Sequence, residues 1–96
     1  MSFIQIIDVH TTNFDQIDAL DRAWQSDTAG RSTVRRTIVT RDHNDPNHYV
    51  IAVFFDSYES AMANSALTET SALAEKLGAL VDSPTTFLDL DVVDDR

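Results

Sequence analysis

The chain contains no cysteine, which excludes disulfides, thiolate nucleophiles and cysteine-based metal sites together. Glycine is nearly as scarce. Gly30 and Gly78 are the only two, too few for a glycine-rich loop that cradles phosphate. Lysine is reduced to Lys76, and seven basic against sixteen acidic residues leave a formal net charge of −9. No basic stripe interrupts that negative field, which repels nucleic-acid backbones and anionic lipid surfaces. No apolar run approaches the roughly 20 residues of a membrane-spanning helix. The start Met1-Ser2-Phe3-Ile4 lacks a charged segment followed by an apolar stretch, so no signal peptide is expected. The expectation is a cytoplasmic protein that binds neither nucleic acid nor membrane. A dinucleotide fingerprint and a Ser-His-Asp spacing signature are missing too.

What is present is a dense succession of short elements. Ninety-six residues read as one domain, 1–96, and a chain of this size hides only a modest share of its surface without a partner. Phe3 to His10 is rich in β-branched residues and apolar on both faces as far as Asp8, which predicts a strand covered on both sides. Asn13 is placed to cap a helix whose apolar stripe is Phe14, Ile17, Leu20 and Trp24, and Gly30 ends it. Ser32 to Arg41 alternates as a second strand, and Asp42 to Asn47 carries turn chemistry. His48 to Phe55 is the most hydrophobic strand. Two helical pieces follow, Tyr58 to Ala66 and Glu69 to Leu80, the second with Thr68 as a fresh cap. Thr86 to Val93 alternates as a fourth strand.

The order β-α-β-β-α-β folds most simply as α+β, a four-stranded antiparallel sheet in the order 4-1-3-2 with helices on one face. The other face of strands one and three is also apolar and would be a bare patch of several hundred Å². A second copy packed sheet against sheet hides it, so a homodimer enclosing a barrel-like interior is expected.

The stretch His48-Tyr49-Val50-Ile51-Ala52-Val53-Phe54-Phe55-Asp56-Ser57-Tyr58-Glu59-Ser60-Ala61 resembles the third strand and capped second helix of the ferredoxin-like dimeric α/β-barrel superfamily, within its antibiotic biosynthesis monooxygenase-like group. The Asp42 to Pro46 turn and the helix break around Asn64 to Thr68 are similar to it as well. The resemblance implies a cofactor-independent monooxygenase-like enzyme acting on a small apolar or aromatic substrate in the barrel cavity. Members of the superfamily also include stress proteins and chains with no known reaction, so a non-catalytic, small-ligand-binding or stress-related homodimer is the alternative. Haem-degrading members pair a first-strand Asn with a later Trp and His. Here the first strand offers Gln5, Asp8 and His10, and Trp24 lies on the first helix, so haem is not expected.

Asp8 and His10 are two apart on a strand and point to one face, where a carboxylate can orient an imidazole as a base. A solvated strand end is the competing reading. Arg36 lies between Val34 and Ile38 and is either a ligand's counter-charge or an interface cation, since Arg35, Arg36 and Arg41 complement Asp89, Asp91, Asp94 and Asp95 on and after strand four. His48 is a candidate for the cavity rim, and His10, His48 and Arg36 form the candidate catalytic set. Asp8, Tyr49, Phe54 and Tyr58 are candidate ligand-binding residues, with ordinary core packing as the competing reading for the aromatics. His43, His48, Asp42 and Asp45 surround a turn, but metal sites need three or four convergent ligands. Neither a metal nor any other cofactor is expected.

Overall fold

A computed structural model describes residues 2–96. Four strands, β1 (Phe3–His10), β2 (Arg36–Arg41), β3 (His48–Phe55) and β4 (Thr86–Asp91), form one antiparallel sheet in the order β2-β3-β1-β4. Three helices, α1 (Phe14–Asp27), α2 (Tyr58–Ser65) and α3 (Thr68–Gly78), complete the chain. The predicted element order, strand order and broken second helix are all present. None of the described helices is long and apolar enough to cross a membrane.

Register fixes the two faces of the sheet, because side chains alternate along each strand. Phe3, Phe55 and the α2 residue Ala61 are each under 5% exposed and make one buried cluster, with Val34, Val53 and Met62 packed against it. The helices therefore cover the face that carries Phe3, Gln5, Ile7 and Val9 of β1. The opposite face carries Ile4, Ile6, Asp8 and His10. Across it lie Phe54, Ala52, Val50 and His48 of β3, with Leu90, Leu88 and Thr86 of β4 and Arg36, Ile38 and Thr40 of β2 on the flanks.

Local chemistry departs from expectation at several ends. Ser32 to Arg35 do not join β2 as strand, because Ser32 and Thr33 turn instead to the buried Asn64. Its side-chain oxygen accepts from Ser32 Oγ at 3.3 Å and from the Thr33 amide at 3.4 Å. Asn13 caps α1 only through its carbonyl, which accepts from the Gln16 and Ile17 amides. Its own amide is tied to Thr11 Oγ1 at 2.9 Å, and its side chain leans towards the Leu80 carbonyl. Ser57 and Ser60 form a reciprocal capping box on α2. Leu67, not Thr68, occupies the cap position of α3, since its carbonyl accepts from the Thr70 and Ser71 amides. Gly30 has φ 84°, the left-handed conformation that a side chain would strain, and it turns the chain out of α1. β4 stops at Asp91, two residues early.

Candidate functional site

At one end of the uncovered sheet face, the last residue of β1 stands directly opposite the first of β3. His10 pairs with His48, and their rings stack in parallel with centroids 4.3 Å apart and 1° between planes. The backbone here is held from both sides. The Thr11 amide donates to the Asn47 carbonyl at 2.9 Å, and the Asp82 amide donates to the His10 carbonyl at 2.7 Å. Thr11, 1% exposed, adds a hydroxyl bond of 2.6 Å to the Leu80 carbonyl. The strand end is thus tied to the turn leading into β4.

His48 is the centre of the group. Its Nδ1 lies 2.9 Å from Asp42 Oδ2 and its Nε2 lies 2.8 Å from Asp8 Oδ1. An ionised carboxylate only accepts, so a ring that bonds two ionised carboxylates donates from both nitrogens, and this geometry favours the imidazolium form. The two bonds, Asp42 first and Asp8 second, raise the His48 pKa above its ordinary value of 6.5 against a smaller desolvation effect. Asp42 is held below the usual carboxylate range by the Asn44 amide, 2.9 Å from Oδ1, and then by the His48 ring. The hairpin turn builds this geometry, for Asp42 donates its amide to the His48 carbonyl while its side chain reaches the His48 ring. His10 Nε2 lies 3.6 Å from the same Asp8 oxygen, beyond hydrogen-bonding distance, and its side chain is 46% exposed against 20% for His48.

Of the residues singled out from sequence, Asp8, His10 and His48 come together. Arg36 and Phe54 share their sheet face but not their end. They pair with each other in register, the guanidinium carbon 5.9 Å from the ring centroid. Phe54 is six positions along β3 from His48, about 20 Å at strand rise. Arg36 therefore does not act beside the two histidines of its own chain. Tyr49 lies on the helix-covered face, stacked on Phe14 at 4.0 Å and lining a cleft of about 250 Å³ with Thr11, Asn13 and Asn47. Tyr58 packs edge-on against Phe3 at 5.6 Å, on that same covered side. Trp24 donates its indole N–H to Thr70 Oγ1 at 3.0 Å between α1 and α3.

Within the single chain, the charges before β2 and after β4 have these partners. Arg35 binds Asp56 of its own chain at 2.6 Å, and Asp94 pairs with Arg96. Asp89 and Asp91 lie on the Phe3 side of the sheet, away from Arg36. Asp42 is the residue that strand patterning did not select. Its signal was a carboxylate and an imidazole on opposite sides of one short hairpin turn.

Neither a protein-family profile nor a curated protein sequence matches the chain. Solved structures do. SnoaB, a cofactor-independent oxygenase from Streptomyces nogalater, superposes with a TM-score of 0.81 at 12% identity over 98% of this chain and 95% of its own. A protein from Mycobacterium tuberculosis gives 0.81 at 13% identity, with 99% and 98% covered. A structure described as an antibiotic biosynthesis monooxygenase gives 0.75 at 18% identity, with 98% and 100% covered. At these identities the likeness is one of fold. The chain has a ferredoxin-like fold, and it shares that fold with solved structures described as antibiotic biosynthesis monooxygenases.

Proposed function

We propose that two copies close their uncovered sheet faces over an apolar cavity, and that the histidine–aspartate group removes a proton from a small apolar or aromatic molecule held there. One observation carries this reading: a four-residue acid–base group stands at the end of a sheet face whose centre is Ile4, Ile6, Ile38, Val50, Ala52, Phe54, Leu88 and Leu90, with Arg36, Thr40 and Thr86 as its other polar residues. Leu88 and Leu90 are 53% and 43% exposed in the single chain, an arrangement that favours a partner surface. The likeness to a structure described as a cofactor-independent oxygenase supports the reaction class.

His10 is the base in this reading. His48 already donates from both ring nitrogens and has no lone pair to offer, whereas His10 is the more exposed ring. Asp8 stands 3.6 Å from His10 and accommodates the positive charge that the ring acquires. His48 and Asp42 position Asp8. With an activated methylene as substrate, the proton passes to His10 and leaves a carbanion. The carbanion's electron pair forms the C–O bond with dioxygen, His10 returns the proton to the peroxide, and loss of water leaves a ketone. The balance is one substrate and one O2 to one ketone and one water.

Oxygen uptake with a panel of phenolic and polycyclic aromatic compounds tests the proposal. Turnover that falls roughly 100-fold or more in His10→Ala supports it, within the range of general-base contributions. A dimer that binds such compounds without consuming oxygen establishes the non-catalytic, ligand-binding alternative instead.

A further inference from the structure

We infer that Asp8, His10 and His48 form a binding site for one divalent transition-metal cation per chain, with Asp42 as its supporting carboxylate. Each of the three residues offers one donor atom, and the three atoms lie within 4.8 Å of one another. Two of the spacings are near those a metal imposes. Ligands about 2.0–2.1 Å from a zinc ion stand about 3.3 Å apart in a tetrahedron. Asp8 Oδ1 is 2.8 Å from His48 Nε2 and 3.6 Å from His10 Nε2. It is the shared vertex, and a cation entering beside it displaces the proton on His48 Nε2.

The surroundings match what such sites need. A ligating histidine almost always donates its second ring N–H to a carboxylate, which fixes the tautomer and aims the ligating nitrogen. Asp42 Oδ2, 2.9 Å from His48 Nδ1, does this, and Asp42 is itself fixed by the Asn44 amide. The donor set of two imidazoles and one carboxylate suits zinc, iron, cobalt or nickel better than magnesium or calcium, which prefer all-oxygen shells. Three protein donors leave coordination positions open to water or a small anionic ligand.

One movement is required. A cation lies in the plane of each imidazole it binds, and the two rings are parallel, so one must turn about its Cβ–Cγ bond. His10 is the ring able to turn, being more exposed and held by no short bond to Asp8, whereas His48 is clamped on both sides. Binding therefore unstacks the pair. The inference does not rest on proton abstraction by His10; a resident cation would occupy that base and suppress the chemistry proposed above.

The test uses the full chain freed of metal by chelation and titrated with Co2+ and Zn2+, read by calorimetry, by cobalt's visible bands and by imidazole 15N shifts. One cation per chain is expected, with the His10 and His48 resonances moving and that of His43, exposed in the hairpin loop, staying in place. Binding should fall below detection in His10→Ala and Asp8→Asn, and weaken about 10–100-fold in Asp42→Asn. His43→Ala should bind as the parent does. No saturable binding by the parent chain would overturn the inference. So would binding that leaves the His10 and His48 resonances of the parent unmoved, a readout independent of whether any variant folds. Metal binding with His10→Ala retaining full oxygen uptake would keep the cation site and remove the catalytic reading.

Discussion

Replacing Leu88 and Leu90 together by alanine should separate the proposed pair of chains while leaving each chain folded. The two side chains lie in β4 on the uncovered face, opposite Ile6 and Ile4, and retain 53% and 43% of their exposure in the single chain. Fully burying a leucine is worth about 1.5–3 kcal/mol, so covering the exposed half of each returns about 1 kcal/mol. Each position counts twice in a symmetric dimer, and alanine forfeits most of that return. The expected loss is about 3–4 kcal/mol, a dissociation constant weaker by roughly 100- to 1,000-fold. Sedimentation equilibrium over a wide concentration range reads that shift directly. Denaturation of the dilute variant should show a cooperative transition, because the Phe3–Phe55–Ala61 cluster lies on the other side of the sheet. A parent chain that is monomeric at high concentration, or a variant with an unchanged constant, would refute the reasoning.

Other consequences follow from individual bonds. Stability should depend on pH through His48 and Asp42. The raised His48 pKa supplies stability that is full below 6.5 and lost as pH rises through the folded value, while the lowered Asp42 pKa supplies stability that is full above 3.8 and lost as pH falls through its folded value. The pair therefore contributes most between those two values, and Asp42→Asn should flatten the pH profile of the melting temperature; an unaltered profile would contradict the ring's double clamping. Thr11→Val should cost about 1 kcal/mol in chemical denaturation, since it removes the hydroxyl that bonds the half-buried Leu80 carbonyl and the Asn13 amide. Ser57→Ala should cost about 1 kcal/mol by removing the capping box of α2; no change in either would mean that solvent replaces these bonds.

Strand and helix order was legible because the periodicities are clean. Alternation in Thr86–Asp91, the continuous apolar run of His48–Phe55 and the Asn64–Thr68 interruption each have one simple reading. The face of each residue was less accessible, although part of it was implicit. His48 and Tyr49 are neighbours on a strand and cannot line the same cavity, and Tyr49 and Phe54 are an odd number apart. Once β1 runs antiparallel to β3, the end of one meets the start of the other, so the nearness of His10 and His48 follows from strand order. Their exact register does not. Nor does the bond from Asp42 to the His48 ring, which depends on the turn's backbone. The β2 arginines read as interface charges from sequence, which shows opposite signs but not distances within the chain; Arg35 pairs with Asp56 of its own chain.

Native mass spectrometry, with a small aromatic ligand added, tests most directly the claim that the uncovered sheet face closes into a cavity. The account predicts the mass of two chains, with the ligand retained on that species and on no other. A single-chain mass across the micromolar range, or ligand retained equally by single chains, would contradict it.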